Sequence, residues 1–270
     1  MKNLPIIRII TLLITFGPFT GLFSQDAALK RLDNSPRHQE WVDVKQGDRV
    51  VSTFVVYPQL NRKAMAIVLI HENRGLTDWV RSMADEVAEK GYIALAPDLL
   101  SGMGPDGGKT NDFPDADAAR GAIYKLPTAQ VVNDLQAVAD YALHLGACNG
   151  KLVVAGFCWG GSQSFSFATE RPDLEAAFVF YGSAPDSVQL KYIKCPVYGF
   201  YGGNDARISS TVPAVTRQMK AEGKIYEPVI YNGAGHAFMR LGEEAEPGNA
   251  NRDARDKAFS RWMGILEKIQ

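Results

Sequence analysis

Cysteine is scarce in this chain: among 270 residues there are only Cys148, Cys158 and Cys195. That is too few for a disulfide scaffold. No C-x-x-C and no Cys/His cluster has zinc-finger spacing, so a structural zinc site is not expected. A single bridge is compatible with an oxidising compartment. Its candidates are Cys148 and Cys195, each just ahead of a predicted strand, and it requires the two strand starts to lie within disulfide Cα spacing. Histidine is equally sparse, at His38, His71, His144 and His236. No long run of like charge occurs, and the formal net charge is −1. The basic stripe of a nucleic-acid-binding surface is therefore missing, and pairs such as Arg62-Lys63 read as solvated faces. Internal repeats and linkers are absent too.

What is present begins with a separate segment. Lys2 and Arg8 form a basic start, "IITLLITFGPFTGLF" (residues 9–23) is apolar and broken by Gly17-Pro18, and Ser24-Gln25 offers a small residue for cleavage. The pattern is that of a signal peptide, residues 1–24, with a periplasmic or secreted chain starting near Gln25. The competing reading, a membrane anchor, is weakened by the run's length and its Gly-Pro break. Residues 25–270 then form one domain, 46% of the full chain being hydrophobic, enough for a large core.

Within that domain strands and helices alternate. Asp26–Glu40 is polar and expected to be irregular. "RVVSTFVVYP" (49–58) is β-branched and aromatic, and "AMAIVLIHE" (64–72) is a continuous apolar run suited to a strand buried on both faces. Thr77–Lys90 has helical spacing at Trp79, Met83 and Val87 and stops at Gly91. Strands follow at 92–98, 151–157, 176–182, 195–202 and 226–231. Helices are expected at 131–145, 160–170, 209–221 and 251–269, with a Gly- and Asp-rich loop at 101–115. This βαβα order predicts an α/β fold with a mostly parallel sheet and helices on both faces.

In such sheets ligands gather outside the carboxyl ends of the strands, and three residues there carry chemistry. Cys158 sits in "VVAGFCWGGSQS" between a strand and a helix. Gly-x-Cys-x-Gly-Gly matches a nucleophile elbow with cysteine in place of serine. Its sharp turn needs small neighbours, which Gly156 and Gly160 supply, and the positive end of the following helix favours negative charge on the sulfur. A buried cysteine acting as a small hydrophobe is the plainer alternative. Asp205 in "YGGNDARIS" suits an acid that orients a histidine, or equally a turn or helix cap. His236 in "YNGAGHAFMR" suits a general base, or a solvated loop histidine. Their order, Cys158, Asp205, His236, each after a separate strand, is the nucleophile–acid–base order of α/β-hydrolases. It points to a Cys-His-Asp triad.

"IHENRGL" (70–76) follows the second long strand. His71-Glu72 is no zinc-protease motif, because position 75 is Gly where a second histidine is required. In an α/β-hydrolase this loop supplies one oxyanion-hole N–H and the residue after the nucleophile the other. Here those are the backbones of Asn73 and Trp159, with Glu72 beside the sulfur or else paired with Arg74 or Arg81. The acids of 106–117 are not spaced as an EF-hand and read as a solvated loop. No metal and no cofactor is expected.

Together "HENRGL", "ALAPDL", "GFCWGG", "YGGND" and "GAGHAF" resemble the dienelactone hydrolase (carboxymethylenebutenolidase) family over roughly residues 50–270. The resemblance implies the α/β-hydrolase fold and cleavage of an ester or enol-lactone through a thioacyl-enzyme, with Cys158 attacking, His236 shuttling protons and Asp205 orienting it. It implies that Glu72 pairs with the resting thiol, and that Arg240, Arg120 and Tyr124 (from "RGAIYKL") bind an anionic substrate. Three features depart from the family: the leader, Phe180 where a tyrosine can lie near the sulfur, and the acidic stretch "LGEEAEPGNAN" (241–251). The expected partner is a small ester or lactone, with the protein a monomer or small homo-oligomer. A broader carboxylesterase or thioesterase, and a non-catalytic hydrolase-like binding protein, are the other readings the residues allow.

Overall fold

A computed structural model describes residues 20–270 apart from 244, with side chains from residue 27 onward. The predicted leader lies outside the described residues except for the backbone of 20–24. The strands are β1 (Gln39–Gln46), β2 (Arg49–Val56), β3 (Ala64–Ile70), β4 (Ile93–Pro97), β5 (Cys148–Phe157), β6 (Ala176–Phe180), β7 (Val197–Gly202) and β8 (Tyr226–Tyr231). The helices are α1 (Thr20–Asp33), α2 (Asp78–Glu89), α3 (Ala116–Ile123), α4 (Thr128–His144), α5 (Trp159–Glu170), α6 (Ala206–Ser209), α7 (Val212–Ala221), α8 (Phe238–Leu241) and α9 (Ala250–Ile269).

The strands form one sheet in the order β1-β2-β4-β3-β5-β6-β7-β8. β1 and β2 run antiparallel to their neighbours, and the rest are parallel. The period-2 pleat divides each central strand between two cores. Met65, Ile67 and Leu69 of β3 face the layer containing α2 and α9, while Ala64, Ala66, Val68 and Ile70 face that of α4, α5 and α7. This is why β3 reads as an unbroken apolar run. On the first side Trp262 of α9 is fully buried, edge-on to Phe157 at 6.2 Å and Phe180 at 5.1 Å. The closing helix is thereby seated under the strand ends that carry the site.

The expected parallel core strands are all present. The polar segment Asp26–Glu40 is not irregular. It contains most of α1 and the start of β1, because Ala28 and Leu32 bury against the α2 layer. β1 is a half-exposed edge strand turned into β2 by Gly47-Asp48, with Gly47 at φ 58°. The Gly- and Asp-rich stretch holds two short 3₁₀ turns and leads into α3, whose N-cap is Asp115. All three cysteines are free. Cys148 begins β5 and Cys195 lies two residues before β7; β6 stands between those two strands, a lateral separation of about 10 Å, beyond disulfide reach. Among the described residues no helix is long and apolar enough to cross a membrane.

The N-terminal elements are pinned by one buried acid. Asp85 of α2, with no solvent exposure, accepts from Arg37 Nε at 2.8 Å and Nη2 at 2.6 Å, and from the Ser35 hydroxyl. Asp85→Ala strands a nearly buried guanidinium, so it is expected to lower unfolding free energy in urea by about 3 kcal/mol. A loss below about 1 kcal/mol would show that this pair is not what holds the segment.

Candidate functional site

The elbow is a consequence of backbone crowding. Cys158 has φ 57° and ψ −114°, a conformation that an L-residue adopts only under constraint. A Cβ on Gly156 would lie 2.0 Å from the Gly160 carbonyl oxygen, and one on Gly161 2.5 Å from that of Phe180. A Cβ on Gly160 would lie 2.3 Å from the Ile70 oxygen and 2.4 Å from the His71 oxygen. Only glycine lets the first turn of α5 press against the ends of β3 and β6 together. The Cys158 N–H donates to the Phe180 oxygen at 3.0 Å, which fixes the strained residue to the sheet. The same approach brings the chain after β3, residues 71–73, to the start of α5, so that Asn73 and Trp159 flank one region.

Asp205 and His236 are joined in a similar way. A Cβ on Gly202, at the end of β7, would meet the Ala234 and Gly235 oxygens at 2.6 Å. Asn204 N–H donates to the Ala234 oxygen at 2.8 Å and its side-chain amide to the Gly233 oxygen at 2.9 Å. Gly235 N–H donates to Asn251 Oδ1 of α9 at 2.8 Å. The turn bearing Asp205 and the loop bearing His236 are thus bonded directly to each other.

Three of the predicted site residues come into line. His236 Nδ1 is 2.6 Å from Asp205 Oδ2, and His236 Nε2 is 3.1 Å from Cys158 Sγ. Asp205 is buried and His236 partly so. Burial works against charge on the imidazole, but its bonds to Cys158 and Asp205 outweigh this and push its pKa up to about 8. The ring is therefore mostly protonated at pH 7.

Glu72 is buried beside this line. Its Oε2 accepts from Arg240 Nε at 2.8 Å, while Oε1 is buried without a hydrogen-bond partner. Burial opposes charge on Arg240, and Glu72 more than compensates, holding its pKa above the usual value. In this arrangement the sulfur's partner is His236 and Glu72's partner is Arg240, rather than the glutamate–thiol pair that the resemblance implies. Tyr124 is exposed, and its hydroxyl accepts from Asn73 Nδ2 at 3.1 Å, so it stands over the loop after β3. Arg120, one helical turn earlier, pairs at the surface with Asp117 at 2.7 Å and, among the described residues, makes no hydrogen bond or ion pair with Cys158, Asp205 or His236.

Two contributors escape sequence reasoning. Phe180 is not at the sulfur: it is buried, stacked on Phe200 at 4.3 Å. The aromatic at the site is Tyr181, at φ 43°, edge-on to His236 at 5.0 Å and with its buried hydroxyl unpartnered. Its burial, with Glu72 nearby, raises its pKa well above the ordinary phenol value, so it stays neutral. Its only sequence signal is an aromatic before Gly182 at a strand end. The second is Glu243 in the acidic stretch, which turns inward to accept from Trp79 Nε1 at 2.9 Å and to pair with Arg255. Burial pushes its pKa up to about 7. In the Asp-rich loop, Asp112 accepts from Lys109 N–H and Asp115 caps α3.

Comparison with known proteins agrees with this geometry. The dienelactone hydrolase family model matches residues 51–270. A Salmonella typhimurium protein provisionally named carboxymethylenebutenolidase is 31% identical over 235 residues, covering 82% of this chain and 83% of its own. A Bradyrhizobium protein provisionally named 2-oxo-3-(5-oxofuran-2-ylidene)propanoate lactonase is 27% identical over 214 residues, covering 74% and 83%. Among solved structures, a provisionally named dienelactone hydrolase from Klebsiella pneumoniae superposes with a TM-score of 0.72 at 25% identity, over 84% of this chain and 98% of its own. With an α/β-hydrolase sheet, an elbow at the end of β5 and a match across four-fifths of its length, this chain belongs to the dienelactone hydrolase family and is a hydrolase.

Proposed function

We propose that this hydrolase opens a small, carboxylate-bearing ester or enol-lactone with Cys158 as the nucleophile. The observation that carries the reading is the unbroken line Asp205–His236–Cys158, at 2.6 Å and 3.1 Å. Sγ attacks the carbonyl carbon, forming an S–C bond, and the carbonyl π electrons move onto oxygen. The backbone N–H groups of Asn73 and Trp159 receive that oxyanion, an effect worth about 3 kcal/mol per donor where it has been measured. Collapse breaks the C–O bond, and the departing oxygen takes the proton held on His236 Nε2. In an enol-lactone the departing enol remains tethered to the acyl group. Water then attacks the thioester carbon, His236 accepts its proton, and the C–S bond breaks to release the acid.

The substrate's charge is argued from Arg240. A carboxylate entering the site competes with Glu72 for this guanidinium, and the Glu72 oxygens are then free to face Sγ. The lactonase name carried by the Bradyrhizobium relative is consistent with such a substrate. Tyr124, exposed over the Asn73 loop, extends the binding side. Arg120 can serve only by leaving Asp117. We further propose export, on the basic-apolar-small pattern of residues 2–25. N-terminal sequencing of the protein from the extracytoplasmic fraction should then begin near Gln25, and an intact Met1 on cytoplasmic protein would contradict it.

A panel of p-nitrophenyl acetate and an anionic dienelactone tests the chemistry. Cys158→Ala should lose at least about a thousandfold in kcat on both. Arg240→Ala should lose at least about tenfold in kcat/KM on the dienelactone and much less on the neutral ester. Full activity in the first variant, or equal losses on both substrates in the second, would overturn the corresponding role.

The protonation of His236 sets a pH dependence. The imidazolium loses its proton as pH rises through about 8. Alkyl esters need that proton on the departing oxygen, so their kcat/KM should fall above that pH, while p-nitrophenyl esters, whose leaving group departs unprotonated, should fall less. An alkyl-ester rate still rising at about pH 9.5 would contradict this assignment.

A further inference from the structure

The loop after β3 carries Glu72 and Asn73, and it is held at both ends by buried polar groups that take no part in the chemistry above. At its start, His71 has no solvent exposure. Its Nδ1–H donates to the Glu72 carbonyl at 2.8 Å and its Nε2 accepts from Leu99 N–H at 3.3 Å. Both ring nitrogens are satisfied in one neutral tautomer, and burial holds the pKa below its ordinary value. The ring also lies nearly parallel to Trp159, at 5.6 Å.

At the loop's other end stands Thr110, twelve residues beyond Asp98 and itself buried. Its hydroxyl accepts from Leu76 N–H at 3.0 Å and donates to Asp98 Oδ1 at 2.7 Å. Asp98 Oδ1 also accepts from Leu100 N–H at 3.1 Å, and its Oδ2 from Thr110 N–H at 3.0 Å. Asp98 is buried and its backbone N–H is bound to Ser52 of β2 at 2.8 Å, so the anchor is part of the sheet. Gly75 has φ 79°, and a Cβ there would lie 2.2 Å from Thr110 Oγ1. The loop has been built around this hydroxyl.

We propose that Thr110 is a positioning residue for the oxyanion hole: anchored on Asp98, it fixes the end of the 71–76 loop at Leu76, opposite the His71 clamp, and so holds the Asn73 N–H where the oxyanion forms. This rests on the assignment of Cys158 as nucleophile and Asn73 as a donor. The role is geometric, since Thr110 touches neither substrate nor reacting atoms. Small displacements of a donor from the oxyanion position are costly, because its contribution exists only at the correct geometry.

The test separates attack through an oxyanion from attack without one. Acylation by p-nitrophenyl acetate passes through a tetrahedral oxyanion. Alkylation by iodoacetamide forms the S–C bond at a saturated carbon as the C–I bond breaks and iodide carries off the sulfur's charge, with the His236 proton staying in place, and it needs no oxyanion donor. In Thr110→Val the p-nitrophenol burst rate is expected to fall about 10- to 100-fold, with the iodoacetamide rate on Cys158 within about twofold of wild type. Thr110→Ser, which keeps the hydroxyl, should restore the burst. Gly75→Ala, which crowds Oγ1, should reproduce the Thr110→Val pattern. A burst unchanged in Thr110→Val, or burst and alkylation falling together, would overturn the proposal. Wild-type hydrolysis that survives complete alkylation of Cys158 would instead overturn the thiol assignment beneath it, a result read in wild type alone.

Discussion

The site depends on one strained residue. Cys158 is held at positive φ because three backbones meet around it: the end of β3, the end of β6 and the first turn of α5. Each contact occurs at a glycine whose Cβ would overlap a carbonyl group or its backbone. Such strain, of order 1–3 kcal/mol, persists only where the surroundings over-determine it. Here they do, through the Cys158 N–H bond to Phe180 and the buried aromatic cluster of Phe157, Phe180 and Trp262 below. The large core under the sheet is what lets a small, half-buried side chain stand above it.

Around the sulfur the charges are arranged in two partnerships. One runs through His236 to Asp205, and the other joins Glu72 to Arg240. Between them lies Tyr181, a buried phenol with no hydrogen-bond partner, and the orphaned Oε1 of Glu72. Unpaired polar atoms in a protein interior are uncommon and call for an explanation. At this site they stand where a substrate that displaces Arg240 from Glu72 would change the local partners. Behind Arg240, the short helix α8 ends near Glu243, whose bonds to Trp79 and Arg255 tie the arginine's support to α2 and α9. The acidic stretch that looked merely distinctive in sequence is partly internal scaffolding.

The line Asp205–His236–Cys158 was legible because its information is local and ordered: a glycine-flanked cysteine, an acid and a histidine, each after its own strand. The buried strands were equally legible, since burial on both faces leaves an apolar run such as "AMAIVLI". What was hidden depends on contacts between distant segments. β1 is an edge strand whose polar, half-exposed sequence "QEWVDVKQ" gains its pairing from β2. Arg240 and Glu72 could each be selected by motif, but no spacing tells that they pair across 168 residues. Arg120 shares the turn of α3 with Tyr124, yet the structure gives it to Asp117. Phe180 and Tyr181 are adjacent, and only the strand's pleat, with the positive φ at Tyr181, decides which faces His236. The Asp98–Thr110 node joins two loops, and neither loop carries a pattern that announces it.

The central claim is that the acyl group passes through Cys158. It is tested most directly by rapid acid quench of wild-type protein with p-nitrophenyl acetate, followed by peptide mass spectrometry. The account predicts one acetyl group on the peptide carrying Cys158, formed as fast as the p-nitrophenol burst and lost at the steady-state rate. Turnover with no acetyl on Cys158, or with acetyl accumulating at that rate on another residue, would contradict it.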